Sequence, residues 1–121
     1  MITTKTLLDS VNYGTPSGNY DGSSQDWSSD AVQAADYYRG RGSIQTVAIH
    51  VTGFEGLIRI QATMDAEPDQ ATWFDTYVYG DGSTIPLTDH NVNAIIGNFV
   101  WLRASVQGFS GGTIDFVTVT Y

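Results

Sequence analysis

From Ser43 onward, apolar residues recur at every second position, a period that fits strands with one buried face and fits no helix. In the run 43–52, Val47, Ile49 and Val51 share one side, with Thr46, Ala48 and His50 on the other. The run 57–64 alternates in the opposite sense, placing Ile58, Ile60, Ala62 and Met64 against Arg59, Gln61 and Thr63. The intervening TGFEG (52–56) reads as a compact turn that makes these two runs a hairpin. Over 72–79, Phe74 and Val78 oppose Trp73, Asp75, Tyr77 and Tyr79, and the glycine-rich GDGS (80–83) ends the run. Over 99–107, Val100, Leu102, Ala104 and Val106 oppose Phe99, Trp101, Arg103 and Ser105. SGG (110–112) then reads as a turn into the last run, 113–121. There the apolar side changes between Phe116 and Val117, as a bulge or a strand apolar on both faces would make it do.

Strands at this spacing, rich in β-branched and aromatic residues, predict an all-β fold, an antiparallel β-sandwich or jelly-roll-like domain over residues 43–121. Residues 1–42 differ: they are rich in Gly, Ser, Asn, Asp and Tyr with weak periodicity, which predicts an extended N-terminal arm. Within them, 30–38 is the sole helix-like stretch, and an extended or edge-strand conformation fits it at least as well.

At 121 residues, with 41% hydrophobic and 12% aromatic residues, the chain can bury a core without metals or disulfides. The absence of cysteine removes thiol nucleophiles and Cys-based zinc sites. The formal net charge is −8, with one lysine and four arginines, which argues against phosphate-dominated nucleic-acid binding and against an anionic membrane surface. No run is long and apolar enough for a transmembrane helix, and MITTKTLLDSVNYG lacks the pattern of a secretion signal, which predicts synthesis in the cytoplasm.

The acidic residues cluster: Asp65, Glu67, Asp69, Asp75, Asp81 and Asp89 lie between Arg59 and Arg103 with no Lys or Arg among them. Such a group could supply paired carboxylates for glycoside hydrolysis or oxygen ligands for calcium, but MDAEPDQ reads first as a solvated acidic loop. DGSSQD (21–26) and DGS (81–83) lack the ligand spacing of a calcium loop and read first as turns. His50 falls on the polar side of a strand and His90 in the stretch DHNVN, which reads as a loop, so each is expected to stand alone rather than in a metal site. No nucleophile elbow and no phosphate-binding loop is present. The expectation is therefore no enzyme, no catalytic residues and no cofactor. The aromatics Trp27, Tyr37, Tyr38, Trp73, Tyr77, Tyr79 and Trp101 exceed the needs of a core this size and, in the strands, oppose the aliphatic side. They suit a protein interface or a platform for sugar rings.

The stretch QTVAIHVTGFEGLIRIQATMDAEPDQATWFD (45–75), followed by GNFVWLRASV (97–106) and GTIDFVTVTY (112–121), resembles a module common in structural proteins of tailed phages, many of them phages of marine bacteria and cyanobacteria. The resemblance covers residues 44–121 and, more loosely, VQAADYYRGRGS (32–43). It implies a β-sandwich used in assembly, as a capsid decoration protein or a head, neck or tail accessory protein, located in the virion. Its partners would be other virion proteins and copies of itself. The expected interface residues are Trp27, Tyr37, Tyr38, Arg39 and Arg41 on the arm and Trp73 and Tyr77 on the sheet. The alternative is a carbohydrate-binding module, calcium-assisted, with Trp73, Tyr77, Tyr79 or Trp101 stacking on the glycan.

Overall fold

Two of the expected turns are not turns. In the computed structural model, which describes residues 4–34, 43–65, 67, 72–80, 86–97 and 99–120, TGFEG and SGG each continue a single strand instead of reversing the chain. The strands are β1 (Thr4–Asn12), β2 (Trp27–Ser28), β3 (Val32–Gln33), β4 (Ser43–Thr63), β5 (Phe74–Gly80), β6 (Leu87–Gly97) and β7 (Trp101–Thr120). They form one all-antiparallel, seven-stranded sheet, and no helix occurs among the described residues.

β4 and β7, of 21 and 20 residues, pair with each other along nearly their whole length and carry everything else. The first half of β4 pairs with β6 and its second half with β5. The second half of β7 pairs with β1 and its first half with β2 and β3. One half of the sheet is therefore β6–β4–β7–β1, and the other is β5–β4–β7–β2/β3. Their apolar sides meet in a single core: Val47, Ile49, Val51, Val117 and Val119 from the first half, Ile58, Ile60, Leu102, Ala104 and Val106 from the second. The arrangement is consistent with a β-sandwich whose two layers share their central strands.

The bend between the halves is a set of interlocked bulges. Leu57 pairs with Gln107, Glu55 with Gly111, and Thr52 with Thr113, so β7 has extra residues over 108–110 and β4 has one over 53–54. One extra residue reverses which side of the strand faces inward. That is why β4 buries 47, 49 and 51 before the bend and 54, 58, 60 and 62 after it. The parity change is real, and its cause is a bulge rather than a hairpin loop. The backbone here needs glycine: Gly112 has φ +85°, and a Cβ on it would lie 2.1 Å from the carbonyl oxygen of Gly53. The expected bulge near Phe116 is present too, since His50 pairs with Phe116 but Val51 with Ile114.

An aromatic cluster fills the bent end. Phe54 and Phe109, both fully buried, sit at the bulges with ring centroids 5.7 Å apart. Tyr20 and Trp27 pack on Phe109 at 5.1 and 6.3 Å, and Tyr13 meets it edge-on at 5.5 Å. Tyr20 also takes a hydrogen bond from the Gly14 amide on its hydroxyl, which satisfies its polar end.

The described part of the expected arm, residues 4–34, belongs to this core. Leu7, Leu8, Val11, Tyr20, Trp27 and Ala34 are buried in the same cluster as the β4 and β7 residues. The arm reading is thereby corrected for those residues, while 35–42 lie outside the described ones. β1 escapes a periodicity search because Leu7 is the extra residue of a bulge, which puts Leu7 and Leu8 side by side in the core. Residues 32–33 are extended, as β3.

Gly112→Ala is expected to destabilise the fold by more than about 4 kcal/mol, because a positive-φ penalty adds to a backbone overlap that no side-chain movement relieves. Gly18→Ala, also at positive φ but with nothing within 4 Å of the new Cβ, is expected to cost only about 1–2 kcal/mol. Urea unfolding of the two variants checks the contrast, and equal effects would mean the bulge can shift.

Candidate functional site

Three surface features stand on this frame. The first is the outward side of the second half, where a chain of polar side chains crosses β7, β4 and β5. Arg59 donates from Nε to Gln107 Oε1 (2.9 Å) and from an Nη to Asp75 Oδ2 (2.6 Å). Gln61 donates to Asp75 Oδ1 (3.0 Å) and accepts from Arg103 Nε (2.7 Å). The Arg103 guanidinium then lies over the Trp73 ring, 4.4 Å from its centroid. The hydrogen bond from Gln61, with the charge and hydrogen bond of Arg59, lowers the Asp75 pKa from its ordinary 3.8. Partial burial lowers that of Arg103.

Of the carboxylates read from the sequence as candidate acids, Asp75 and Asp65 are bound into structure, while Glu67 is exposed. Asp75 is paired with Arg59, and Asp65 accepts from the Thr72 amide at 2.8 Å and from Thr63 Oγ1. Asp21 accepts from the amides of Ser23 and Ser24 and from the Ser24 hydroxyl, which hold its pKa down at about 2. Asp69 and Asp81 lie outside the described residues.

The aromatic platform is not assembled as expected. Trp27 is buried between Tyr20 and Phe109, with its Nε1 lacking a hydrogen-bond partner among the described residues, so it is a core residue and not a surface anchor. Tyr79 is buried and Tyr77 half-buried on the inward side of β5, Val78 faces out opposite Arg59, and Phe74, opposite the buried Ala62, is exposed. Tyr77 donates to Asn91 Oδ1 (2.5 Å) and Tyr79 reaches Asp89 Oδ2 (3.4 Å), and both contacts tie β5 to β6 across the side of the core. Burial and the Asp89 carboxylate push the Tyr79 hydroxyl up to about 12. Trp73 lends its ring face to Arg103, and Trp101 is half-buried opposite Thr63. Tyr37, Tyr38, Arg39 and Arg41 lie outside the described residues.

The second feature is the outward side of the first half, around β6. This strand reverses the usual polarity of an edge strand: Asp89 and Asn91 turn inward to the two tyrosines, while Val92 turns out. Val92 is 69% exposed and Ile44, on the neighbouring β4, 58%. Phe116 of β7 is partly exposed on the same side.

On that side the two histidines expected to stand alone are brought together. His50 of β4 and His90 of β6 are direct cross-strand partners, with their Nε2 atoms 2.9 Å apart. Asp115 Oδ2 lies 2.7 Å from His50 Nδ1 and accepts from Thr52 Oγ1 at 2.8 Å. The His50–Asp115 contact is short but off the ring N–H axis, an electrostatic contact rather than a straight hydrogen bond. The His50 ring stacks on Phe116, centroids 5.2 Å apart. The missed signal was β6 itself: once 87–97 is a strand antiparallel to β4, register alone puts His90 opposite His50.

The third feature is a cleft of about 230 Å³ between β1, the turn at 17–19 and residues 29–32. Leu8, Val11 and Val32 line it together with Asp9, Asn19 and Asp30. Among the described residues, no group of three or more His, Asp or Glu side chains is placed to hold a metal ion.

Compared with known proteins, the chain matches no family model, no curated protein and no solved structure.

Because the Asp75 pKa is lowered by folding, the stability it contributes is full above 3.8 and is lost as the pH falls below that through the folded value. Asp75→Asn is expected to flatten the acid side of the stability profile. Its cost near neutral pH should be no more than about 1 kcal/mol, since the Arg59 pair is partly solvated. Thermal unfolding of both proteins from neutral to acid pH checks this, and parallel profiles would show the pair to be energetically idle.

Proposed function

We propose that this chain is a structural subunit of a tailed-phage virion that works by protein–protein assembly, and that the β6 edge is where one copy meets another. The observation that carries the reading is the character of that edge. Among the described residues β6 pairs with β4 alone, which leaves a row of backbone donors and acceptors on its other side. From His90 to Gly97 it holds no carboxylate, lysine, arginine or proline, the devices that ordinarily keep edge strands from pairing. Val92 and Ile44 add exposed apolar surface on the adjoining side.

Charge selects the occupant. Each copy has a formal charge of −8, so a contact between copies needs a stretch where carboxylates do not face one another. The segment 90–97 is such a stretch, and antiparallel pairing of two β6 strands about a two-fold axis would continue the sheet from one subunit into the next. The resemblance of residues 44–121 to phage structural modules supports placing such an assembly in a virion, with capsid or tail proteins as further partners. Binding to an assembled lattice would stabilise it by linkage, the subunit favouring only the assembled state. The glycan-binding alternative loses most of its platform, because the tyrosines named for it turn inward and the Trp73 face carries Arg103, leaving the half-buried Trp101.

The wild-type protein is expected to have twice the 13.1 kDa chain mass by light scattering after gel filtration, and Val92→Glu to return it to 13.1 kDa with its strand circular dichroism intact. A wild-type monomer, or a dimer indifferent to Val92→Glu, would remove the β6 edge from the proposal.

A further inference from the structure

The His50–His90 pair sits in the middle of two hydrogen-bonded strands, so its geometry is set by backbone register rather than by flexible loops. Both rings project on the outward side of the sheet, His90 exposed and His50 partly so, leaving a path for a solvated ion. Two nitrogens 2.9 Å apart share a single proton between them when nothing else is present. Adjacent ligand nitrogens on a tetrahedral zinc ion, each about 2.0–2.1 Å from the metal, lie roughly 3.3 Å apart. The ring centroids are 3.8 Å apart, so the two imidazoles must swing apart as well as open the Nε2 gap by a few tenths of an ångström to admit the ion.

Asp115 completes the logic. Its carboxylate lies against the far nitrogen of His50 and is held by Thr52, so it favours a proton on Nδ1 and leaves the Nε2 lone pair facing His90. Metal-ligating histidines are oriented by a carboxylate that accepts from the far ring nitrogen, and a small turn of the His50 ring would straighten its contact with Asp115 into such a bond. The other charged groups around the pair, Asp89 beside His90 and Asp9 in the row that runs through Phe116, are acidic as well and add to a field that attracts cations.

We propose that His50 and His90 form a two-histidine chelate for a divalent transition ion of the zinc or nickel type, oriented by Asp115. The proposal is independent of the assembly reading. On binding, both Nε2 atoms become ligands. The proton that His90 holds on Nε2 moves to its Nδ1, so no net proton is released from the neutral pair. The remaining coordination positions are filled by water. Bound metal then staples the edge strand β6 to β4.

The test is a titration of the protein with zinc chloride, followed by imidazole nitrogen NMR and by thermal unfolding. The expected result is saturation at one ion per chain, with the Nε2 resonances of both histidines shifting together and a rise in the unfolding midpoint. Magnesium and calcium, which take oxygen ligands, should leave those resonances in place. Asp115→Asn is expected to weaken binding about tenfold or more while keeping the same two ligands. The double variant His50→Gln/His90→Gln should lose both the binding and the thermal shift. Nε2 resonances that stay fixed up to millimolar zinc would overturn the proposal, as would undiminished one-to-one binding by the double variant. The wild-type NMR result decides the matter even if a variant fails to fold.

Discussion

The fold depends on one close approach, that of the β4 and β7 backbones where both strands bulge. Two antiparallel strands of about twenty residues would span more than 60 Å if extended, far more than a small domain can cover on both sides. Bending them together solves this without cutting the ladder, but it requires the two irregularities to coincide. Gly112 has to lie against the Gly53 carbonyl, and Gly56 against those of Gln107 and Gly108. Phe54 and Phe109 then turn into the space that the bend opens, where they are worth about 2–3 kcal/mol each in buried apolar surface. Glycine supplies the path and the phenylalanines supply the reason to take it.

This bend shows how far the sequence could be read. The alternation in 43–52 and 57–64 was legible because each run buries one side, and so was the change of side between them. A hairpin and a bulge both produce that change, and TGFEG is compatible with either. What distinguishes them is a second bulge at matching depth in a distant strand, around Gly108–Gly112, and no local pattern reports which distant segments pair. The same limit explains the N-terminal region. Leu7 and Leu8 break the two-residue period because a bulge turns both inward, and Trp27 lies in a strand of only two residues. Their burial is decided by β7, which begins 74 positions after Trp27.

β6 was missed for a different reason. Its inward positions Asp89 and Asn91 are polar because tyrosines from β5 reach across with hydroxyl groups, so the side of the core is closed by hydrogen bonds and not by packing alone. A strand whose inward residues between Leu87 and Ile95 are polar and whose outward residues include Val92 reads as a loop under any rule that places apolar residues inside. Reversed patterning of this kind marks a strand whose two surfaces have separate work. The inner one ties the edges of the two halves together, and the outer one packs against no core residue among those described.

The histidine pair and a β6 edge that pairs with β4 alone among the described residues follow from that same reversal. Outward positions at an edge are released from core packing, so they can hold side chains chosen for chemistry or contact. Holding β6 in place is nonetheless left to few devices: the ladder to β4, two tyrosine hydroxyls and Gln45, whose buried amide donates to the Ile95 carbonyl. Of the long strands it therefore has the weakest claim on the core, with Ile95 its sole buried apolar residue among those described. An ion bound across His50 and His90, or a second chain paired along its free edge, would each add its binding energy where the fold has least of its own.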